Sequence, residues 1–206
     1  FLSKNDFLLL LFLIIFLIGL LSDLKVINRV SIRFLLQIIS ITFFVQILNI
    51  EINSTKFEFF DELLKNNIIN ILFVTFCLTV LINGANFTDG LNGLTINYHL
   101  IIYILLYVFF ENFAIDREFI SYIIPIIIIL LIFNLLGFLY LGDSGSYLLS
   151  IMTGIFLINF AADNLFISPY FVILLLWYPC FELLFSMLRR FFNKIKTYQP
   201  DTYHLH

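Results

Sequence analysis

Long apolar blocks alternate with short polar ones along almost the whole chain. Seven apolar segments can be read, at roughly 6–22, 30–50, 66–83, 95–110, 120–137, 146–162 and 168–188. Each approaches the ~20 residues that an α-helix needs to cross the hydrocarbon core of a bilayer. Backbone polar groups in lipid need partners within their own element, so each block reads as a helix. The pattern predicts an all-α, polytopic transmembrane protein of about seven spans. It forms a single membrane domain over residues 1–206, with no internal repeat and no long linker.

Composition sharpens this reading. Hydrophobic residues make up 62% of the chain and charged residues only 12%, about half the roughly 25% usual in soluble domains. Mean hydropathy is +1.05, which excludes a water-soluble fold. A net charge of −3 gives no sign of a nucleic-acid surface. Cys77 and Cys180 both lie inside apolar runs and read as inert thiols rather than a disulfide. The chain opens on Phe1 and stops at His206 in the middle of a polar stretch, and the expectation is a fragment.

Loop charge sets the orientation. Alternate crossings place Lys25, Arg29, Arg33, Arg189, Arg190, Lys194 and Lys196 on one side. The other side carries Lys4, Lys56, Lys65 and Arg117, diluted by many acidic residues. An excess of Lys and Arg marks the cytoplasmic side. Ser22-Asp23, the loop around Asn83–Gly93, the loop around Gly137–Ser146 and the tail to His206 all fall on that face.

Those four segments hold the candidate chemistry. Asn83-Gly-Ala-Asn86-Phe-Thr-Asp89-Gly-Leu-Asn92-Gly93 is a polar, glycine-rich stretch read as a loop between two helices. Asp89 offers a hard anionic oxygen for a divalent cation, and Asn83 and Asn86 offer neutral amides. Glycines and a following helix N-terminus suit an anionic ligand; the alternative is an ordinary turn. Asn134 precedes Leu141-Gly142-Asp143-Ser144-Gly145-Ser146, where Asp143 stands at a helix mouth. Gly-Asp-Ser-Gly also surrounds the nucleophile of trypsin-like proteases, but no His and Asp partners have a suitable context here. A metal or phosphate site fits better, with a helix cap by Asp143 or Ser144 as the alternative.

Asp23 stands at the end of the first span, where a lone acid is ordinarily an interfacial anchor. In the tail, Arg189 and Arg190 suit phosphate, and His204 and His206 suit phosphate or proton transfer. A basic segment resting on lipid headgroups is the alternative. Glu182 is expected to order a polar network near the arginine pair, and His99 reads as an interfacial histidine.

Individually these signals are modest, but their order is specific. An Asp at the end of a span, then Asn-x-x-Asn-x-x-Asp-Gly, then Gly-Asp-x-Gly-Ser, then a basic tail with His-x-His resembles one family. It is that of the polyprenyl-phosphate N-acetylhexosamine-1-phosphate transferases, and the resemblance runs over essentially the whole chain. Pro200-Asp-Thr-Tyr-His204-Leu-His206 leans toward the glycan-priming branch. The resemblance implies transfer of a sugar-1-phosphate from a UDP-N-acetylhexosamine to a polyprenyl phosphate, with release of UMP. It also implies Mg²⁺ (or Mn²⁺), a multi-pass place in the bacterial plasma membrane, a role in cell-envelope glycan synthesis and compatibility with a homodimer. Asp143 and Asp89 are then the metal ligands, and Asp23, Asp89, His204 and His206 the catalytic set. Asn83, Asn86, Asn134, Arg189 and Arg190 are the substrate-binding set.

Two departures matter. The family has adjacent aspartates where this chain has Ser22-Asp23, and an Asp where it has Asn92. The family also has further helices before the point where this chain begins and one after it ends. An inactive or regulatory relative is therefore a second expectation. A transporter is a third, disfavoured because the spans read as nearly all apolar.

Overall fold

The computed structural model describes residues 3–109, 114–164 and 167–192. Among them it contains eight α-helices: α1 (Lys4–Asp23), α2 (Val30–Leu48), α3 (Glu58–Leu64), α4 (Asn67–Thr88), α5 (Leu94–Phe109), α6 (Ala114–Leu135), α7 (Gly142–Asp163) and α8 (Pro169–Phe192). By length and composition, six of them can cross a membrane: α1, α2, α4, α6 over Arg117–Leu135, α7 and α8. The block expected at 95–110 is α5, apolar but only 16 residues long, which is about 24 Å at ~1.5 Å per residue. The expected polytopic helical fold is present, with two corrections. The acidic stretch read as loop contains the short helix α3. Helix α4 also runs five residues past its expected end, through Asn83 and Asn86 to Thr88.

The second correction has a local cause. Asn83 is not free to leave the helix, because its Nδ2 donates to the carbonyl of Thr79 one turn back, at 2.8 Å. It also donates to Oε1 of Gln37 on α2 at 2.9 Å. Amides that would favour a turn in water find helical partners here.

Helices α4 and α7 form the middle of the bundle. About half of their apolar windows is buried (50% and 56%), against 22% for each of the other long helices. One apolar core joins α1, α2, α4 and α7 through Leu11, Ile15, Ile41, Phe44, Val74, Leu78, Ile151 and Ile155. A second joins α5, α6, α7 and α8 through Leu100, Tyr103, Leu106, Ile123, Leu157 and Leu175. The outward faces keep exposed Leu, Ile and Phe, as lipid-facing surfaces should. The spans are less uniformly apolar inside than their sequence suggested. His99 is fully buried between α5 and α7, not interfacial, and its Nδ1 lies 3.0 Å from the Thr153 hydroxyl.

Close helix contacts explain two glycines. A Cβ on Gly84 of α4 would lie 2.3 Å from the Pro179 carbonyl oxygen of α8, and one on Gly19 of α1 would lie 2.4 Å from Ser144 Cα of α7. Small residues let helix backbones approach in lipid, where association rests on packing rather than on expelling water. Gly84→Leu should therefore destabilise the fold by about 1–3 kcal/mol, seen as a lower melting temperature in mild detergent. Leu9→Ala, at a side chain 64% exposed to lipid, should leave the melt unchanged. A Gly84→Leu protein that melts with the wild type would contradict the close contact.

Candidate active site

The start of α7 poses a local problem that the sequence does not display. Its N-cap position is Leu141, which has no side chain able to cap. The first N–H groups of a helix need acceptors, and here they come from other segments. Asp23, the last residue of α1, accepts from Asp143 N at 2.8 Å and Ser144 N at 3.0 Å. Asp89, just past α4, accepts from the Gly142 N–H. Gly142 has φ +64°, and a Cβ there would lie 2.8 Å from the Asp23 carboxylate. Only glycine suits both the left-handed backbone and that approach.

With its backbone held in this way, Asp143 turns its side chain into a ring of partners. One carboxylate oxygen accepts from Asn86 Nδ2 at 2.6 Å. The other meets the Ser22 hydroxyl and Nη1 of Arg33, and the same Nη1 touches the Ser22 oxygen. Residues from α1, α2, α4 and α7 thus converge at one end of the bundle. This convergence shows that the α1 and α4 C-termini and the α2 and α7 N-termini share one side. It follows that α5 and α6 together traverse the bundle and return.

Burial pushes the Asp89 carboxyl up to about 7, the charges of Asp143 and Asp23 push the same way, and the Gly142 N–H partly opposes them. Burial and like charge both disfavour the ionised carboxylate, so a cation beside it would be favoured. Among the described residues, no three carboxylate, histidine or cysteine side chains converge on one point. Magnesium seldom asks for that: it takes one or two carboxylates and completes its shell with water and substrate phosphate. Asp89 and Asp143, hard oxygen donors close enough to interact electrostatically, fit such a demand.

The other expected site residues divide clearly. Asn86 is in the ring, while Asn83 stands one turn away on α4 and binds Gln37. Asn134 is buried, accepts from Gly93 N at 2.5 Å and donates to the Leu139 carbonyl at 2.8 Å. Both ends of its amide brace the 89–93 turn against the loop before α7. The N–H groups of the first α7 residues are occupied, so the start of α7 does not offer a free phosphate cradle. Arg190 is buried on the face of α8 that also holds Glu182 and Ser186, with its guanidinium 5.1 Å from the Phe87 ring centre. Arg189 is half-buried beside it. His204 and His206 lie outside the described residues. Asn92 is exposed and makes no contact with the ring among the described hydrogen bonds.

Sequence reading missed Arg33 and counted it only as orientation charge. The available signal was an arginine one turn inside an apolar helix, which demands a partner.

The family model for glycosyl transferase family 4 matches residues 7–161, three quarters of the chain and every member of the ring. The chain belongs to glycosyl transferase family 4. A curated relative in keeping with this family is decaprenyl-phosphate N-acetylglucosaminephosphotransferase of Mycobacterium leprae (strain TN). It is 28% identical over 159 residues, which cover 66% of this chain and 40% of the relative. The chain thus spans well under half the length of that relative. No solved structure matches it. The family 4 match includes Asp23, Asn86, Asp89, Asn134 and Asp143 but ends before the arginine pair.

The Asp89 environment makes a signed prediction. Folding raises this carboxyl from 3.8 to about 7, so between those values the folded state holds more protons than the unfolded chain. Stability then falls as pH rises through that window. In EDTA-containing detergent, the wild-type melting temperature should decline from about pH 4 to about pH 7, and Asp89→Asn should flatten the decline. An unchanged slope in the variant would remove Asp89 as its source.

Proposed function

We propose that this protein transfers an N-acetylhexosamine-1-phosphate from a UDP-sugar to a polyprenyl phosphate, releasing UMP. The observation that carries this reading is the meeting of Asp23, Asn86, Asp89 and Asp143 at one end of the bundle in a member of glycosyl transferase family 4. In the reaction an oxygen of the acceptor phosphate attacks the β-phosphorus of the donor. A new P–O bond forms, and the bond from that phosphorus to the bridging oxygen breaks as UMP departs with the electron pair. The product is a polyprenyl diphospho-sugar.

Two anionic groups must approach each other, so the obstacle is electrostatic and catalysis is chiefly positioning and charge neutralisation. Asp89 and Asp143 would hold Mg²⁺, which would neutralise donor phosphate charge. Asn86 holds the Asp143 carboxylate in place. Asp23 fixes the α7 N-terminus from which Asp143 projects. His204 and His206 are assigned to the donor phosphates by the family resemblance. The basic residues Lys25, Arg29, Arg33, Arg189 and Arg190 lie at the ends of α1, α2 and α8 that share this side, which supports a cytoplasmic site in a bacterial plasma membrane. A lipid acceptor and a soluble nucleotide donor meet only at such an interface.

A second reading, an inactive relative, is favoured by Ser22 and by the Arg33 ion pair on Asp143. The two are separated by UMP release from membranes carrying the full-length protein, supplied with polyprenyl phosphate, a UDP-N-acetylhexosamine and Mg²⁺. Release that needs lipid and metal and falls at least ~100-fold in Asp143→Asn is the expected result. Undiminished release in that variant would remove Asp143 from the site. No release from the wild type would favour the inactive relative.

A further inference from the structure

We propose that His99 is a positioning residue: it fixes the register of α5 on α7 and so sets the separation of Asp89 from Asp143. The inference rests on the reading of that pair as the cation site, and it names a residue that acts on the pair from inside the membrane. The two carboxylates belong to different elements. Asp143 projects from the first turn of α7, whereas Asp89 stands where α4 ends and the 89–93 turn leads into α5. Their separation therefore depends on how α5 is seated against α4 and α7. Thr88 and Thr95 seat it on α4, hydroxyl to hydroxyl at 2.8 Å, beside Asp89. His99, one turn further along α5, seats it on α7. The histidine is fully buried, and its ring spans two hydroxyls of α7. Nδ1 lies 3.0 Å from Thr153 Oγ1, and Nε2 lies 3.5 Å from Ser150 Oγ.

Both hydroxyls donate to carbonyls of their own helix, Ser150 to Ser146 at 2.6 Å and Thr153 to Leu149 at 2.8 Å. Thr153 Oγ1 is thus an acceptor for an Nδ1–H, and Nε2 is the acceptor end of a neutral ring facing Ser150. The line continues to the site. Asn86 Nδ2, which holds the Asp143 carboxylate, also reaches the Ser146 hydroxyl at 3.4 Å. That hydroxyl donates to the Asp143 carbonyl at 3.2 Å. Asp143, Ser146, Ser150 and Thr153 recur at helical spacing and form one polar face of α7 that runs from the ring to His99. Directional bonds matter here because apolar packing does not fix register. Helices in lipid gain little from expelling water, so Leu and Ile faces slide or turn at small cost. A buried polar pair is satisfied in one register only. Without the imidazole, Ser150 and Thr153 keep their carbonyl partners, so its removal orphans no donor. What is lost is the constraint on the tilt of α5, and with it the spacing of two carboxylates that one cation must reach together.

The test is Mn²⁺ binding, followed by EPR, to the purified full-length protein in nanodiscs, beside melting in EDTA. Asp143→Asn marks the binding that belongs to the site. His99→Leu should weaken that binding roughly tenfold, the lower end for partners that orient metal ligands, and leave the EDTA melting temperature unchanged. His99→Gln, which keeps a donor and an acceptor, should recover part of the affinity. Thr153→Val removes the oxygen facing Nδ1 at nearly the same shape and should match His99→Leu. The double variant should then bind no more weakly than either single one. Thr153→Val also decides the matter if His99→Leu fails to fold. Wild-type affinity in His99→Leu would overturn the proposal. So would a loss that tracks a lower EDTA melting temperature, additive losses in the double variant, or a wild type that binds no Mn²⁺. UMP release with Mn²⁺ affinity indifferent to His99 would leave the transferase reading standing without this role. Affinity that depends on His99 in a protein releasing no UMP would defeat that reading and keep the role.

Discussion

The N–H groups that open α7 cannot be capped by their own segment, and the site follows from how they are satisfied. Asp23 arrives from the end of α1 and Asp89 from just past α4, so three elements distant in sequence are tied at one end of the bundle. Helix N-termini favour anions through their exposed donors and dipole. Here the anions are part of the chain. Because its backbone is held from outside, Asp143 keeps its own carboxylate for Asn86, Ser22 and Arg33.

This arrangement concentrates negative charge at a membrane boundary, where it is poorly solvated. Two effects answer it. Asp89 is pushed up to about 7 by burial and neighbouring charge, and Arg33 supplies a cation to Asp143. A divalent cation and the phosphates of a substrate would alter both balances together. Such coupling is what the proposed transfer between two phosphates would require. Packing holds the frame still: Gly19 against Ser144 and Gly84 against Pro179 leave no room for a side chain between the helices they join.

Much of this was legible in the sequence. Continuous apolar blocks gave seven helices in the right order, and loop charge placed Asp23, Asp89 and Asp143 on one side before any contact was known. The ends were misjudged for a physical reason: Asn83 and Asn86 look like turn residues, yet Thr79, Gln37 and Asp143 satisfy them within α4. Helix α3 escaped because seven residues with three acids carry no membrane signal. Asp23 could be read as an interfacial anchor or a catalytic acid, but not as the cap of a helix 120 residues away, since capping across the bundle leaves no local pattern. Asn134 was legible as a substrate contact, but its bracing of two loops leaves no local pattern in the sequence. The Arg33 contacts had one sequence clue, a charge inside an apolar helix, and needed the fold to supply the partners.

We propose Asp89 and Asp143 as the residues that would hold a divalent cation beside the donor phosphates. Anomalous scattering from Mn²⁺ in crystals of the full-length protein, with a UDP-N-acetylhexosamine bound, would locate that cation. The expected peak lies within reach of both carboxylates and of the donor phosphates. A peak at the acidic α3 segment, or donor phosphates bound away from Asp143, would contradict it.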